Sequence, residues 1–251
     1  MKVVFLGTPS FVQPIKDELA KHFTLVNSLD EADLGVVAAY GRILTKQELN
    51  APKFGCINVH PSLLPKYRGS SPIQQAILNE DKVSGITIIK MDEEVDHGPI
   101  IYQESLELSS DDNFDILSKK MFFRSAEILP KIIEDFTADK IIAKPQDHSK
   151  ATYCDKLTRE SGFFDINPPA GGPPSPGQLD RMIRAYFPWP GVWTTIMIND
   201  KGLRIKFLPA SPAGGPEKKL QVEGGKPMSV KDFLNGYPQM KEAIEKLGVS
   251  S

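Results

Sequence analysis

Cysteine is scarce in this chain: Cys56 and Cys154 are the only two, and they stand in dissimilar surroundings. Two such thiols make neither a disulfide framework nor a metal-ligand pattern, and they point to a reducing compartment. Long apolar runs are missing as well. No stretch approaches the roughly 20 residues that span a bilayer. The apolar part of the opening "MKVVFLGTPS" is too short for the core of a signal peptide and reads as a first strand. A cytoplasmic enzyme or binding protein with no membrane role is expected. Charge of one sign is also lacking: 30 Lys+Arg face 32 Asp+Glu. Residues 1–150 balance at −5 and residues 151–251 at +3. A mildly basic C-terminal third is compatible with a polyanionic partner but is far short of a nucleic-acid signature. What is present, 40% hydrophobic and 25% charged residues, suits a globular protein with a real core. A length of 251 residues favours one large and one small domain.

Along the chain, "KVVFLG" reads as a buried strand, followed by Thr8-Pro9-Ser10 and a helical pattern through Val12, Ile15, Leu19 and Ala20. "FTLV" (23–26), "LGVVAAY" (34–40) and "GCINVH" (55–60) are further strands, and "PIQQAILNE" (72–80) is a helix with Pro in its first turn. Residues 84–92 and 98–108 look like paired strands, each with one wetter face. Residues 114–136 form a long amphipathic helix that Pro130 should kink or split. Composition then changes: "INPPAGGPPSPG" (166–177) is neither helix nor central strand. After it come a short helix (178–185), a hairpin (188–208) turning at Asn199-Asp200-Lys201-Gly202, a loop (211–219), and a helix (229–236) opened by Ser229 and closed by Gly236. The strand–helix succession predicts an α/β domain over 1–150, a linker over 151–177, and a small β-rich domain over 178–251.

Parallel α/β sheets bind ligands where strand carboxyl ends meet loops. Asn58 and His60 stand at such an end, and the two-residue period of a strand puts them on one face. Asn offers an amide donor, and His donates a hydrogen bond or moves a proton near neutral pH. Together they suit an oxyanion and a proton shuttle in acyl transfer, although each alone is commonplace. In "DEEVDHGPII" (92–101), Asp96 stands where the chain must bend, and a carboxylate near His60 would orient its ring. Asp92, Glu93 and Glu94 read as a solvated acidic loop, and His22, His97 and His148 as surface or turn residues rather than ligands. No metal-ligand spacing appears.

"NVHPSLLPKYRGSSPI" followed by "GITIIKMDEEVDHGPII" resembles the folate-dependent formyltransferases: an Asn-x-His, a Ser-Leu-Leu-Pro with a nearby Arg-Gly, and an Asp-x-Gly 36 residues after the His. The resemblance covers most of the chain. It implies a Rossmann-like catalytic domain with a mainly parallel sheet and a small OB-like β-barrel after it. It also implies catalytic Asn58, His60 and Asp96, and 10-formyltetrahydrofolate as co-substrate, with no metal. The folate would be contacted by Ser62, Leu63, Leu64 and Pro65, by Tyr40, Gly41, Arg42, Ile43 and Leu44 of "AAYGRIL", and by Val95. Gly7, Thr8 and Pro9 would border the acceptor amine. Arg42 and Arg68 are of a kind to meet phosphate or ribose, against the plainer reading of surface arginines.

"ATYCDKLTRESGFFDI", "QLDRMIRAYFPWPGVWT" and "KPMSVKDFLNG" are similar, in sequence and order, to the C-terminal domain of the methionyl-tRNA formyltransferases. That branch implies formyl transfer to the α-amine of initiator methionyl-tRNA, for translation initiation, by a monomer. Two blocks of the family pattern are shortened: a strand, helix and basic loop between Val26 and Asp33, and barrel strands between Pro209 and Leu220. "PPAGGPPSPG" is an addition. The alternatives are N-formylation of an amino-sugar nucleotide, hydrolysis of 10-formyltetrahydrofolate, and a binding module without transfer.

Overall fold

The structure, a computed structural model, describes residues 1–168, 172–198, 201–209 and 218–249. In chain order the elements are β1 (Lys2–Leu6), α1 (Gln13–His22), β2 (Thr24–Val26), β3 (Leu34–Val37), α2 (Lys46–Asn50), β4 (Cys56–His60), β5 (Arg68–Gly69), α3 (Pro72–Leu78), β6 (Val83–Lys90), β7 (Ile100–Glu107) and α4 (Phe114–Thr137). Then follow β8 (Tyr153–Cys154), α5 (Pro176–Tyr186), β9 (Val192–Ile198), β10 (Lys201–Pro209), β11 (Lys218–Val222), β12 (Met228–Ser229), α6 (Val230–Gly236) and α7 (Lys241–Lys246). The chain forms two compact units. One comprises residues 1–73, 82–108 and 117–156; the other comprises 74–81, 109–116 and 157–251.

The first unit is built on a six-stranded sheet of order β2-β1-β3-β4-β6-β7. β2, β1, β3 and β4 run parallel, and β6 and β7 complete the sheet antiparallel to their neighbours, so it is mixed and mostly parallel in the Rossmann manner. Its interior strands are apolar because both faces are covered. All four residues of β3 are buried, as are Ser84 to Ile89 of β6. The wetter face expected of both paired strands belongs to β7 alone, whose burial alternates, since β6 lies inside the sheet and β7 at its edge. Strand β3 stops at Val37 rather than Tyr40 because Ala39 turns into the left-handed region (φ 47°).

α4 is one continuous helix of 24 residues, not two. An interior Pro costs about 3 kcal/mol through its lost hydrogen bond and ring clash. Burial of Leu129, Ile132 and Ile133 around it, at about 1.5–3 kcal/mol each, outweighs that loss. On the same helix Phe122 stacks on Phe11 with ring centres 5.3 Å apart. A small parallel pair, β5 with β8, joins Arg68 and Gly69 to Tyr153 and Cys154.

The second unit carries a four-stranded antiparallel sheet of order β12-β11-β10-β9. The hairpin register places Lys201 opposite Ile198 and Gly202 opposite Met197, so Lys201 and Gly202 are strand residues rather than turn residues. Asn199, Asp200 and most of the expected loop at 211–219 lie outside the described residues, as does part of the Pro/Gly-rich segment. Ser175 and Ser229 cap α5 and α6, each hydroxyl accepting a backbone N–H. Gly236 is the last residue of α6 and Tyr237 is its cap. Among the described residues no helix is long and apolar enough to cross a membrane.

Candidate active site at the carboxyl end of β4

β4 ends the parallel part of the sheet and delivers Asn58 and His60 on one face, as their spacing requires. The loop from β6 to β7 brings Asp96 to them. Asn58 Nδ2 donates to Asp96 Oδ1 at 3.1 Å, and His60 Nδ1 lies 3.4 Å from the same oxygen. The other carboxylate oxygen accepts the Gly69 N–H at 2.8 Å. On the far side of the ring, His60 Nε2 donates to the Tyr67 carbonyl at 2.7 Å. A carbonyl only accepts, so a proton resides on Nε2, and Nδ1 is the nitrogen turned to the carboxylate. The His60 side chain is 5% exposed and that of Asp96 10%. The ring has almost no freedom, and its 3.4 Å approach is longer than an ordinary N–H···O bond of 2.7–3.2 Å.

Asp96 holds φ at 51°, a region that non-glycine residues rarely adopt. Two glycines near that turn make close backbone approaches. Gly69 has φ 111°, and a Cβ there would strike the Cys154 carbonyl oxygen. A Cβ on Gly98 would land on the carbonyl oxygen of Lys90. Gly98 lets the chain leave the turn tight against Lys90, and Gly69 brings its N–H to the carboxylate that the sequence pointed to.

The segment 62–67 is tied down from beneath. Ser62, 1% exposed, donates through Oγ to the Tyr67 carbonyl and accepts the Tyr67 N–H. Thr87, flanked by Ile86 and Ile88 in β6, donates to Ser62 O and accepts from Leu64 N and Gln103 Nε2. Ser62 and Leu64 thus turn inward, while Leu63 and Pro65 are part-exposed. In the other expected folate loop, Leu44 is buried in a cluster with Val37, Leu49 and Cys56, whereas Ile43 and, across the site, Val95 are exposed. Tyr40 packs against that cluster, and its carbonyl accepts from Thr8 Oγ1 at 3.1 Å, which links the Gly7-Thr8-Pro9 turn to the loop at Tyr40-Gly41. Arg42 forks onto Glu48 at 3.0 and 2.7 Å and lies over the Tyr40 ring. The guanidinium, with help from the Thr45 backbone N–H, holds the Glu48 carboxyl down to about 2.

Arg68 is not a surface residue. It is 2% exposed, and its guanidinium is bonded to Gln146, His148 and Tyr153. The three lie 78 to 85 positions later in sequence, so no local pattern around Arg68 announces its burial. His97 stacks face to face on His148, with centres 4.1 Å apart, and bonds Asp92. His22 bonds Glu18 on α1. Burial pushes the Cys56 thiol up to about 11 and raises that of Cys154, so neither is a ready nucleophile. Among the described residues no group of three His, Cys, Asp or Glu side chains is arranged for a metal. Sequence reasoning missed Gln146, Thr87 and the Tyr67 carbonyl. Only Thr87, a polar residue inside an apolar strand, left a signal.

A buried imidazole, an amide and a carboxylate meeting at one oxygen are suited to polarising a carbonyl and taking up an amine's proton. The comparisons with known proteins point the same way. The family described as formyl transferase matches residues 19–133. The methionyl-tRNA formyltransferase of Kosmotoga olearia is 42% identical over 207 residues, covering 81% of this chain but 62% of the relative. That of Caldicellulosiruptor saccharolyticus is 35% identical over 260 residues, covering 93% of this chain and 80% of the relative. The solved methionyl-tRNA formyltransferase from Clostridium thermocellum superposes with a TM-score of 0.63 at 18% identity, over 91% of this chain and 99% of that one, which shows the shared fold. With the Asn58–His60–Asp96 cluster at the strand end and a relative 35% identical matched over four-fifths of its own length, the chain belongs to the methionyl-tRNA formyltransferase family.

Proposed function

We propose that the protein transfers the formyl group of 10-formyltetrahydrofolate to the α-amine of initiator methionyl-tRNA. The observation that carries this reading is the meeting of Asn58, His60 and Asp96 at one carboxylate oxygen. The amine nitrogen attacks the formyl carbon, and the C=O bond opens to an oxyanion. Asn58 and a doubly protonated His60 donate to that oxygen. The long Nδ1–Asp96 separation leaves the Nδ1 proton free to be shared with an incoming acceptor. Asp96 accepts the proton released by the attacking nitrogen, directly or through a water. The oxyanion then re-forms the C=O bond, the C–N10 bond breaks, and Asp96 passes its proton, directly or through a water, to N10, which leaves as the N10–H amine of tetrahydrofolate.

Folate would lie between the exposed Ile43 and Val95, with Tyr40 to Leu44 and Leu63 to Pro65 as rims. The Gly7-Thr8-Pro9 turn would face the acceptor. We take the second unit as a reduced OB-like domain, the domain division as 1–150, 151–177 and 178–251, and the protein as a cytoplasmic monomer. Light scattering checks the last point.

His60→Ala and Asp96→Ala are each expected to lower turnover by about 100- to 1000-fold, the usual loss for one such group, with the circular dichroism spectrum intact. Full activity in either variant would overturn the assignment. Running the assay with an amino-sugar nucleotide and with no acceptor separates the two competing acceptors, sugar and water.

A further inference from the structure

The Asp96 turn is held through its main-chain carbonyls as well as through its carboxylate. Gln146, 6% exposed, follows α4 in a segment bonded to Ile100 through Lys144. Its Nε2 donates to the main-chain carbonyls of Asp96 at 2.9 Å and Gly98 at 2.8 Å. Its Oε1 accepts from Arg68, from Nη2 at 2.8 Å and from Nε at 3.3 Å. The orientation of this amide is dictated by chemistry. A guanidinium can only donate and a carbonyl can only accept, so the oxygen must face Arg68 and the nitrogen must face the turn. Both N–H groups and both lone pairs are used, and the charge on Arg68 strengthens the bonds it makes.

Arg68 and Gly69 are consecutive, and together they grip Asp96 at both ends. Gly69 holds the carboxylate through its N–H, and Arg68 holds the main-chain carbonyl through Gln146. Arg68 is fixed in turn: Nη2 also donates to His148 Nδ1 at 2.7 Å, and Nη1 reaches the Tyr153 hydroxyl at 3.4 Å. The left-handed conformation of Asp96, sparsely populated by L residues, is backed by this outside hold.

We propose that Gln146, oriented by Arg68, is a positioning residue that holds the Asp96 turn and so aims the carboxylate at Asn58 and His60. This rests on the reading of Asp96 as the proton acceptor. Arg68 is then part of the enzyme's interior scaffold rather than a contact for the acceptor.

The test is a double-variant cycle in single-turnover assays. Gln146→Glu keeps the shape and the acceptor for Arg68 but removes both donors. Its formyl-transfer rate is expected to drop on the order of 10- to 100-fold, as for a small misplacement of a reacting group. Its KM for 10-formyltetrahydrofolate is expected to stay close to that of the parent, while the two carbonyls left without a donor lower its unfolding temperature. In an Asp96→Asn background the same substitution is expected to cost almost nothing further, since it acts through Asp96. Arg68→Lys, which keeps the charge but loses the fork, is expected to show a smaller loss with the same non-additivity, and it replaces Gln146→Glu if that variant does not fold. A Gln146→Glu rate within twofold of the parent, or a full multiplicative loss on top of Asp96→Asn, would overturn the proposal. Parent-like activity of Asp96→Asn alone would instead overturn the reading of Asp96, whatever Gln146 does.

Discussion

Two loops of the first unit flank the β4 strand end, and they are held in opposite ways. The Asp96–Gly98 end of the loop 92–98 is fixed by inward polar bonds, Gly69 N–H and Gln146 on Asp96, and by a glycine at 98 pressed against Lys90, while its tip carries the exposed pair of Glu93 with Lys46. In the segment 40–48 Leu44 anchors one point in the core, and the polar hold is an open ion pair, with Arg42 49% and Glu48 31% exposed at their side chains. Glu48 also closes the capping box of α2 with Thr45. Buried bonds hold a group to a fraction of an ångström and resist salt, whereas exposed pairs are screened and loosely held. A reacting carboxylate needs the first kind of support. In the proposed reading the 40–48 segment is a rim of the folate site, which the second kind of support suits.

That contrast is broken most severely at the reacting groups, where Asp96→Ala and His60→Ala should remove nearly all turnover. Next comes the backbone under the turn. Gly98→Ala sets a methyl against the Lys90 carbonyl, an obstacle of backbone that cannot rotate away, and is expected to destabilise the fold by about 3 kcal/mol in a denaturant titration. Thr87→Val keeps the volume but leaves the buried Leu64 N–H without its acceptor, which costs about 1–3 kcal/mol by the same measurement. Smallest should be Glu48→Gln, expected to raise KM for the folate a few-fold and leave the turnover number alone. The Arg42–Glu48 link should also respond to pH. Glu48's carboxyl is held at about 2, below its ordinary 4.5, so the link is complete above pH 4.5 and is lost as the pH falls towards 2. The order of exchange in the two loops checks this: amide protection at 40–48 should fall in high salt or acid while that at 92–98 persists.

The parts of the site that were legible in the sequence are those written in local code. Asn58 and His60 share a face because a strand alternates, and Asp96 stands out because it precedes a His-Gly where two strands must turn. The strands themselves followed from apolar runs, yet their order did not, since β2 and β3 flank β1 through pairings that no local pattern encodes. Arg68 read as a surface cation because its neighbours are polar; Gln146, His148 and Tyr153 bury it from far along the chain. Pro130 read as a break because propensity is local, while the packing that keeps α4 whole is not. Boundaries moved for the same reason: Ala39 leaves the strand in a left-handed turn that its own sequence does not favour.

The measurement that bears most directly on the central claim is tetrahydrofolate release from 10-formyltetrahydrofolate by the purified protein and by its Asp96→Ala variant. It is run with charged initiator methionyl-tRNA, with charged elongator methionyl-tRNA, and with no acceptor. The account predicts turnover of the parent protein with the initiator tRNA alone and its loss in the variant. Equal turnover in all three arms, or turnover that survives in the variant, would contradict it.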